Sequence, residues 1–159
     1  PIAIRYPRGS AHQGLREYQA PVEYGRSEII RKGKKIAVLG VGSMIPSCME
    51  ICKGLKDDGY DPTFVNARFV KPLDVDLLDE LAKDHSLFVT VEENVKSGGY
   101  GEHVSAYMEA CHPEIRVLSA AVWDRFVPQG NVESLRSRIG LGVEDIRQAI
   151  EDSEELREQ

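Results

Sequence analysis

Four short apolar runs, each followed by a segment of helical period, constrain this chain more than any other feature. They are Ile36-Ala37-Val38-Leu39, Thr63-Phe64-Val65-Asn66, Leu87-Phe88-Val89-Thr90-Val91 and the stretch from Ile115 to Leu118. Runs this short and this apolar suit strands buried on both faces, as in a parallel sheet. Between them, apolar residues recur at spacings of three and four. Met44, Cys48, Ile51, Cys52 and Leu55 form one such stripe, Leu77, Leu78 and Leu81 a second, and Val104, Tyr107, Met108 and Cys111 a third. Strand and helix in strict alternation require right-handed crossovers, so the pattern predicts an α/β fold: a three-layer αβα domain with a mostly parallel sheet.

Local signals punctuate the pattern. Ser43 is expected to cap the first helix, Pro46 sits in its first turn, where a missing N–H costs nothing, and Gly59 terminates it. Asp74 is expected to cap the second helix. Ser27 to Lys34 suits an edge strand before a turn at Gly33, and two short helices close the domain, one from Asn131 on Leu135 and Ile139, the other on Val143, Ile146 and Ile150. The first six residues, with Ile2-Ala3-Ile4, also read as a strand, with Ile2 to Arg5 expected to be held by β-pairing or by a neighbouring chain. The chain opens on Pro1 in this apolar run rather than in a polar linker, which reads as a cut inside a longer protein.

A length of 159 residues suits one domain plus a remnant, and the formal net charge of -6 opposes the basic surface that a phosphate backbone demands. Nucleic acid is therefore not an expected partner. No apolar run approaches the roughly 20 residues of a membrane helix, and the expected location is the cytoplasm. The three cysteines cannot all pair, which fits a reducing compartment.

The candidate chemistry is sparse. Gly40-Val41-Gly42 lies between a strand and a helix, where glycines can admit a pyrophosphate, but Ile45 stands where the third glycine would be and a structural turn is the better account. Cys48, Cys52 and Cys111 each occupy an apolar helix position and read as small core residues. His12 and His85 read as surface residues, and no histidines share a metal-ligand spacing. No catalytic residue is assigned. Glu92-Glu93-Asn94 comes directly off a buried strand, with Gly98-Gly99 leading into the next helix. Two adjacent carboxylates there suit metal binding, acid–base work or a subunit interface, and spacing does not choose between these. Arg5 and Arg8 flank Tyr6-Pro7, a pairing suited to bidentate capture of a phosphate or carboxylate as well as to plain surface ion pairs.

In their order along the chain these segments resemble the end of the 1-deoxy-D-xylulose-5-phosphate synthase family. Pro1 to Gly9 (PIAIRYPRG) resembles the final strand of that family's middle, pyrimidine-binding domain. Val65 to Asp74 (VNARFVKPLD), Val91 to Val95, Gly98-Gly99-Tyr100-Gly101, and Asp124-Arg125-Phe126 with Gly130 resemble its transketolase-type C-terminal domain. Trp123 departs from the proline common there. The resemblance implies that residues 1–22 end a pyrimidine-binding domain and form a linker, with a transketolase C-terminal-like domain over 23–159. It implies a homodimeric parent that uses thiamine diphosphate and Mg2+ to condense pyruvate with glyceraldehyde 3-phosphate, with loss of CO2. In that parent Arg8, with Arg5 second, would contact the sugar phosphate, and Glu92, Glu93, Asn94, Gly98 and Gly99 would form a domain or subunit interface. The chain lacks the Gly-Asp-Gly magnesium signature, so alone it is expected to be inactive and to bind no cofactor. The nearest alternative is the C-terminal domain of a transketolase or of a 2-oxoacid dehydrogenase component, acting as a partner-docking module.

Overall fold

The computed structural model describes residues 1–6, 12–18 and 20–153. Five strands form one sheet: β1 (Glu28–Arg31), β2 (Lys35–Gly40), β3 (Thr63–Asn66), β4 (His85–Val95) and β5 (Arg116–Val122). Their spatial order is β1-β3-β2-β4-β5. β1 runs antiparallel to β3, and every other pairing is parallel. The helices are α1 (Ile45–Asp57), α2 (Val75–Ala82), α3 (Tyr100–Cys111), α4 (Val132–Arg138) and α5 (Val143–Glu151).

Three of the apolar runs, in β2, β3 and β4, become the centre of the sheet because each must hide both faces from solvent, while the run from Ile115 to Leu118 leads into the edge strand β5. Alternate side chains of β2 divide between two cores. Ile36 and Val38, with Phe64, Leu87 and Val89, pack against Cys48, Ile51 and Leu55 of α1 and Ile146 and Ile150 of α5. Ala37 and Leu39, with Val65 and Phe88, pack against Leu78 and Leu81 of α2 and Val104 and Met108 of α3. Burying one such aliphatic side chain is worth about 1.5–3 kcal/mol. The three layers thus follow from the period-two and period-3.6 patterns, and the edge strand β1 and the Asp74 cap, which accepts from the Leu77 N–H, fall where the sequence predicts them.

Several local expectations are corrected. Residues 1–6 form no strand; Ile2, Ile4 and Tyr6 are exposed, and the segment touches the domain through the Arg5 side chain. β-propensity stabilises a strand only on an available edge, and this segment lies on neither edge of the sheet. Ser43 does not cap α1: Gly42–Met44 form a short 3-10 turn, and the serine hydroxyl is used elsewhere. β4 runs on to Val95, so Glu92 to Val95 continue a strand, with an irregularity between Val91 and Val95. Cys48 and Cys52 are buried as predicted, but Cys111 is exposed, because the last turn of α3 runs past the apolar face that Val104 and Met108 present.

His85 is also inside rather than on the surface. Its Nδ1 lies 2.8 Å from the Leu81 carbonyl, which can only accept, so Nδ1 carries the proton. Nε2 is left to accept from the Thr63 hydroxyl at 2.7 Å, and Thr63 Oγ1 in turn accepts from the Gly33 N–H at 2.9 Å. Burial pushes the imidazole below its ordinary value, against the raising effect of the Leu81 carbonyl and Asp84. This chain of bonds ties the turn before β2 to the starts of β3 and β4. The segment ahead of β1 is held at several points: Arg68 donates to the Ala20 and Pro21 carbonyls, Asp74 accepts from Arg26 and from the Ser27 N–H, and the Ser27 hydroxyl donates to the Ala67 carbonyl.

Candidate functional site

In an open parallel sheet, groups with work to do gather at the C-terminal ends of the strands, where the chain order reverses. Here that point lies between β2 and β4: the crossover from β2 goes to β3 on one side, and β4 lies on the other. Residues 40–43 leave β2 at this point and Glu92 to Val95 end β4.

Successive residues of a strand face opposite ways, so Glu92 and Glu93 part company. Glu92 turns inward and is 1% exposed. Its two carboxylate oxygens accept from the first turn of α3, Oε2 from Tyr100 N–H at 2.9 Å and Oε1 from Gly101 N–H at 2.8 Å. The helix supplies no cap of its own, since Gly99 occupies the N-cap, so a carboxylate from the neighbouring strand satisfies the otherwise orphaned donors and meets the positive end of the dipole. Two glycines make the approach possible. A Cβ on Gly99 would stand 2.6 Å from Glu92 Oε1, and one on Gly101 would stand 2.2 Å from Ser119 Oγ and 2.5 Å from Thr90 Oγ1.

Glu93 turns to the other side. Its Oε2 accepts from Ser43 Oγ at 2.8 Å and its Oε1 from Arg136 Nε at 3.2 Å, so the turn after β2 and the helix α4 are both fastened to the end of β4. Arg5 joins the same point by donating to the Glu93 backbone carbonyl at 3.2 Å. Partial burial would raise the Glu93 carboxyl, but the Arg136 and Ser43 hydrogen bonds and the charges of Arg136 and Arg5 outweigh it and hold the group below the usual carboxylate range. Asn94 is half-buried, Gly98 is exposed, and Lys96 stacks its ammonium 4.9 Å from the centre of the exposed Trp123 ring.

The two carboxylates therefore share no site. One is a helix cap and the other a junction of three segments. Arg5 is brought to this junction, whereas Arg8 lies outside the described residues. From sequence Ser43 reads only as a helix cap and Arg136 has no assigned role; their common partner is 50 and 43 residues away. A second polar cluster, on the α2–α3 surface, joins Tyr107 and His112 to the single oxygen Asp79 Oδ1 at 2.8 and 2.7 Å. The His112 and Tyr107 hydrogen bonds lower the Asp79 carboxyl. Among the described residues no group of three or more His, Cys, Asp or Glu is placed to hold a metal, and no helix is long and apolar enough to cross a membrane.

The transketolase C-terminal domain family matches residues 25–146. The chain is 41% identical over 147 residues to the 1-deoxy-D-xylulose-5-phosphate synthase of Lachnoclostridium phytofermentans, covering 92% of this chain and 24% of that protein. It is 40% identical over 151 residues to the synthase of Dictyoglomus thermophilum, covering 94% and 24%. The chain thus spans about a quarter of the length of these curated relatives. Among solved structures, a split-gene transketolase described as an inactive beta4 tetramer superposes with a TM-score of 0.79 at 28% identity, over 86% of this chain and 45% of that one. The sheet order, the helix layers and these matches agree: the chain belongs to the transketolase C-terminal domain family.

Proposed function

We propose that this chain is the C-terminal part of a 1-deoxy-D-xylulose-5-phosphate synthase, a thiamine-diphosphate enzyme of the cytoplasm that joins pyruvate to glyceraldehyde 3-phosphate with loss of CO2. The observation that carries the reading is the extent of the likeness. The family match starts at residue 25, whereas likeness to the synthases covers 92% and 94% of the chain and so extends upstream of that point. The upstream segment holds Arg5 and Arg8. In this reading residues 1–22 close a pyrimidine-binding domain and form a linker, and residues 23–159 form the C-terminal domain. Arg8 meets the sugar phosphate. Arg5, fastened to the Glu93 carbonyl, aligns the segment against the domain.

The domain's own task is to pack against the rest of a homodimeric parent. Its contact surface is built from Glu93, Asn94 and Gly98, with Glu92 and the buried Gly99 acting behind them as the support of α3. Thiamine diphosphate supplies the carbanion chemistry in such a parent. The described residues do not fit that cofactor or its Mg2+, since the carboxylates at the strand ends are spent on internal partners. The likeness to a split-gene transketolase favours a second reading, in which the chain is the corresponding domain of a transketolase and serves in docking.

Calorimetric titration of the 159-residue chain with thiamine diphosphate and Mg2+ tests the division of labour. No heat of binding is expected, because a tight site needs convergent groups that exclude water. Micromolar binding would place cofactor-holding groups on this chain and overturn it.

A further inference from the structure

The segment VNARFVKPLD, from Val65 to Asp74, carries a strained residue that the site at the strand ends does not use. Arg68 has a φ of 55°, in the left-handed region that few side chains enter. Asn66 Oδ1 supports this turn by accepting from the Arg68 N–H at 3.2 Å. Strain of this kind persists only where the surrounding structure fixes it, and it gathers where it serves a purpose. Here the turn aims the Arg68 guanidinium back at the polar run ahead of β1. Nη1 donates to the Pro21 carbonyl at 3.3 Å, and Nη2 donates to the Ala20 carbonyl at 3.2 Å and pairs with Glu28. Both side chains of that ion pair are largely buried, at 13% and 11% exposure. Further contacts join the same two segments. Tyr24 sets its ring edge-on to Phe69 with centroids 5.8 Å apart, Arg26 pairs with Asp74 and Asp76, and the Ser27 hydroxyl donates to the Ala67 carbonyl at 3.1 Å.

We infer that residues 66–76 form a clamp on residues 20–28 and that Arg68 is a positioning residue. Through the clamp it fixes the direction in which the first part of the chain leaves the domain, and so how that part meets the substrates. The positioning role rests on the synthase reading, whereas the clamp does not. A polar run free in solvent samples many directions, and contacts that order it must offset the entropy it loses. One guanidinium serving three acceptors suits that task, because its planar fork is preorganised and gives up less rotamer freedom per hydrogen bond than an ammonium. Arg5 fastens the chain further upstream, at the Glu93 carbonyl, so the part ahead of β1 is held to the domain at two separate places. Direction matters at such a junction, since misplacing a reacting group by about 1 Å can cost on the order of a hundredfold in rate.

Hydrogen exchange of the 159-residue chain tests the clamp, and steady-state kinetics of a full-length synthase carrying this chain tests the positioning, each with Arg68→Ala, Arg68→Gly and Arg68→Lys. Glycine takes a positive φ without strain, so Arg68→Gly should unfold at a higher temperature than Arg68→Ala while lacking the clamp equally. In both, the amides from Val22 to Ser27 are expected to exchange about tenfold faster, and kcat/KM to fall about tenfold for both substrates alike. Arg68→Lys should lie between these variants and the unaltered chain, since an ammonium keeps the charge but not the fork. Amides that exchange no faster would overturn the clamp. Unchanged kinetics in spite of faster exchange would overturn the positioning role, as would kinetics that follow thermal stability, with Arg68→Gly recovering what Arg68→Ala loses. A synthase carrying the unaltered chain that forms no product would count against the synthase reading, with exchange still deciding the clamp.

Discussion

Glu92→Ala is expected to remove about 3–5 kcal/mol of folding stability, among the larger effects a single substitution produces. The carboxylate is 1% exposed and accepts two N–H groups at the start of α3. Hydrogen bonds to a charged acceptor contribute about 1.5–3 kcal/mol each, and the alanine leaves both donors buried without a partner. Loss of the favourable charge at the helix N-terminus adds to this. Glu92→Gln isolates the contributions: its amide oxygen accepts one N–H, while its NH2 group opposes the other, so about half the loss should return. Urea denaturation with an unchanged slope is the measurement. A loss under about 1 kcal/mol for the alanine would mean that α3 finds other caps.

Arg8→Ala, placed in a full-length synthase carrying this chain, is expected to lower kcat/KM for glyceraldehyde 3-phosphate about tenfold to a hundredfold while leaving pyruvate use nearly unchanged. An arginine on a phosphate makes charge-assisted hydrogen bonds, and the loss of one costs about 1.5–3 kcal/mol of transition-state stabilisation. Arg8→Lys should recover only part, since an ammonium is a point charge without the planar fork. Arg5→Ala is the control. Arg5 donates to the Glu93 carbonyl, so its removal should loosen residues 1–6 and affect both substrates alike and less. Steady-state kinetics with each substrate varied decides the matter: equal losses for both substrates with Arg8→Ala would assign it to the fold, and a loss selective for the phosphate with Arg5→Ala would reverse the two roles.

The layers of the fold were legible because they depend on local pattern. Ile36 to Leu39 is wholly apolar and Leu87 to Val91 is apolar but for the buried Thr90, the kind of short run that suits a strand covered on both faces. Asp74 was legible as a cap because its partner is three residues away. What was hidden depends on distant residues. His85 sits among Lys83, Asp84 and Ser86, a polar stretch, yet its ring is taken up by Thr63 and Leu81 once β3 and β4 flank β2. Glu92-Glu93 looked like one acidic unit. A strand's alternation splits the pair, and that alternation applied only because β4 continues past Val91 to Val95, whereas the sequence has the acidic pair coming off the end of the strand. Ile2 to Tyr6 had the composition of a strand, but composition does not provide an edge to pair with.

The most direct test of the synthase reading replaces the matched quarter of the Lachnoclostridium phytofermentans synthase with this chain. The purified chimera is then supplied with thiamine diphosphate, Mg2+, pyruvate and glyceraldehyde 3-phosphate. Formation of 1-deoxy-D-xylulose 5-phosphate with equimolar CO2, at a rate comparable with the unmodified enzyme, is the predicted result. A chimera that assembles and binds the cofactor like its parent yet forms no product, while the same chain restores ketol transfer to a transketolase lacking its own C-terminal domain, would contradict it.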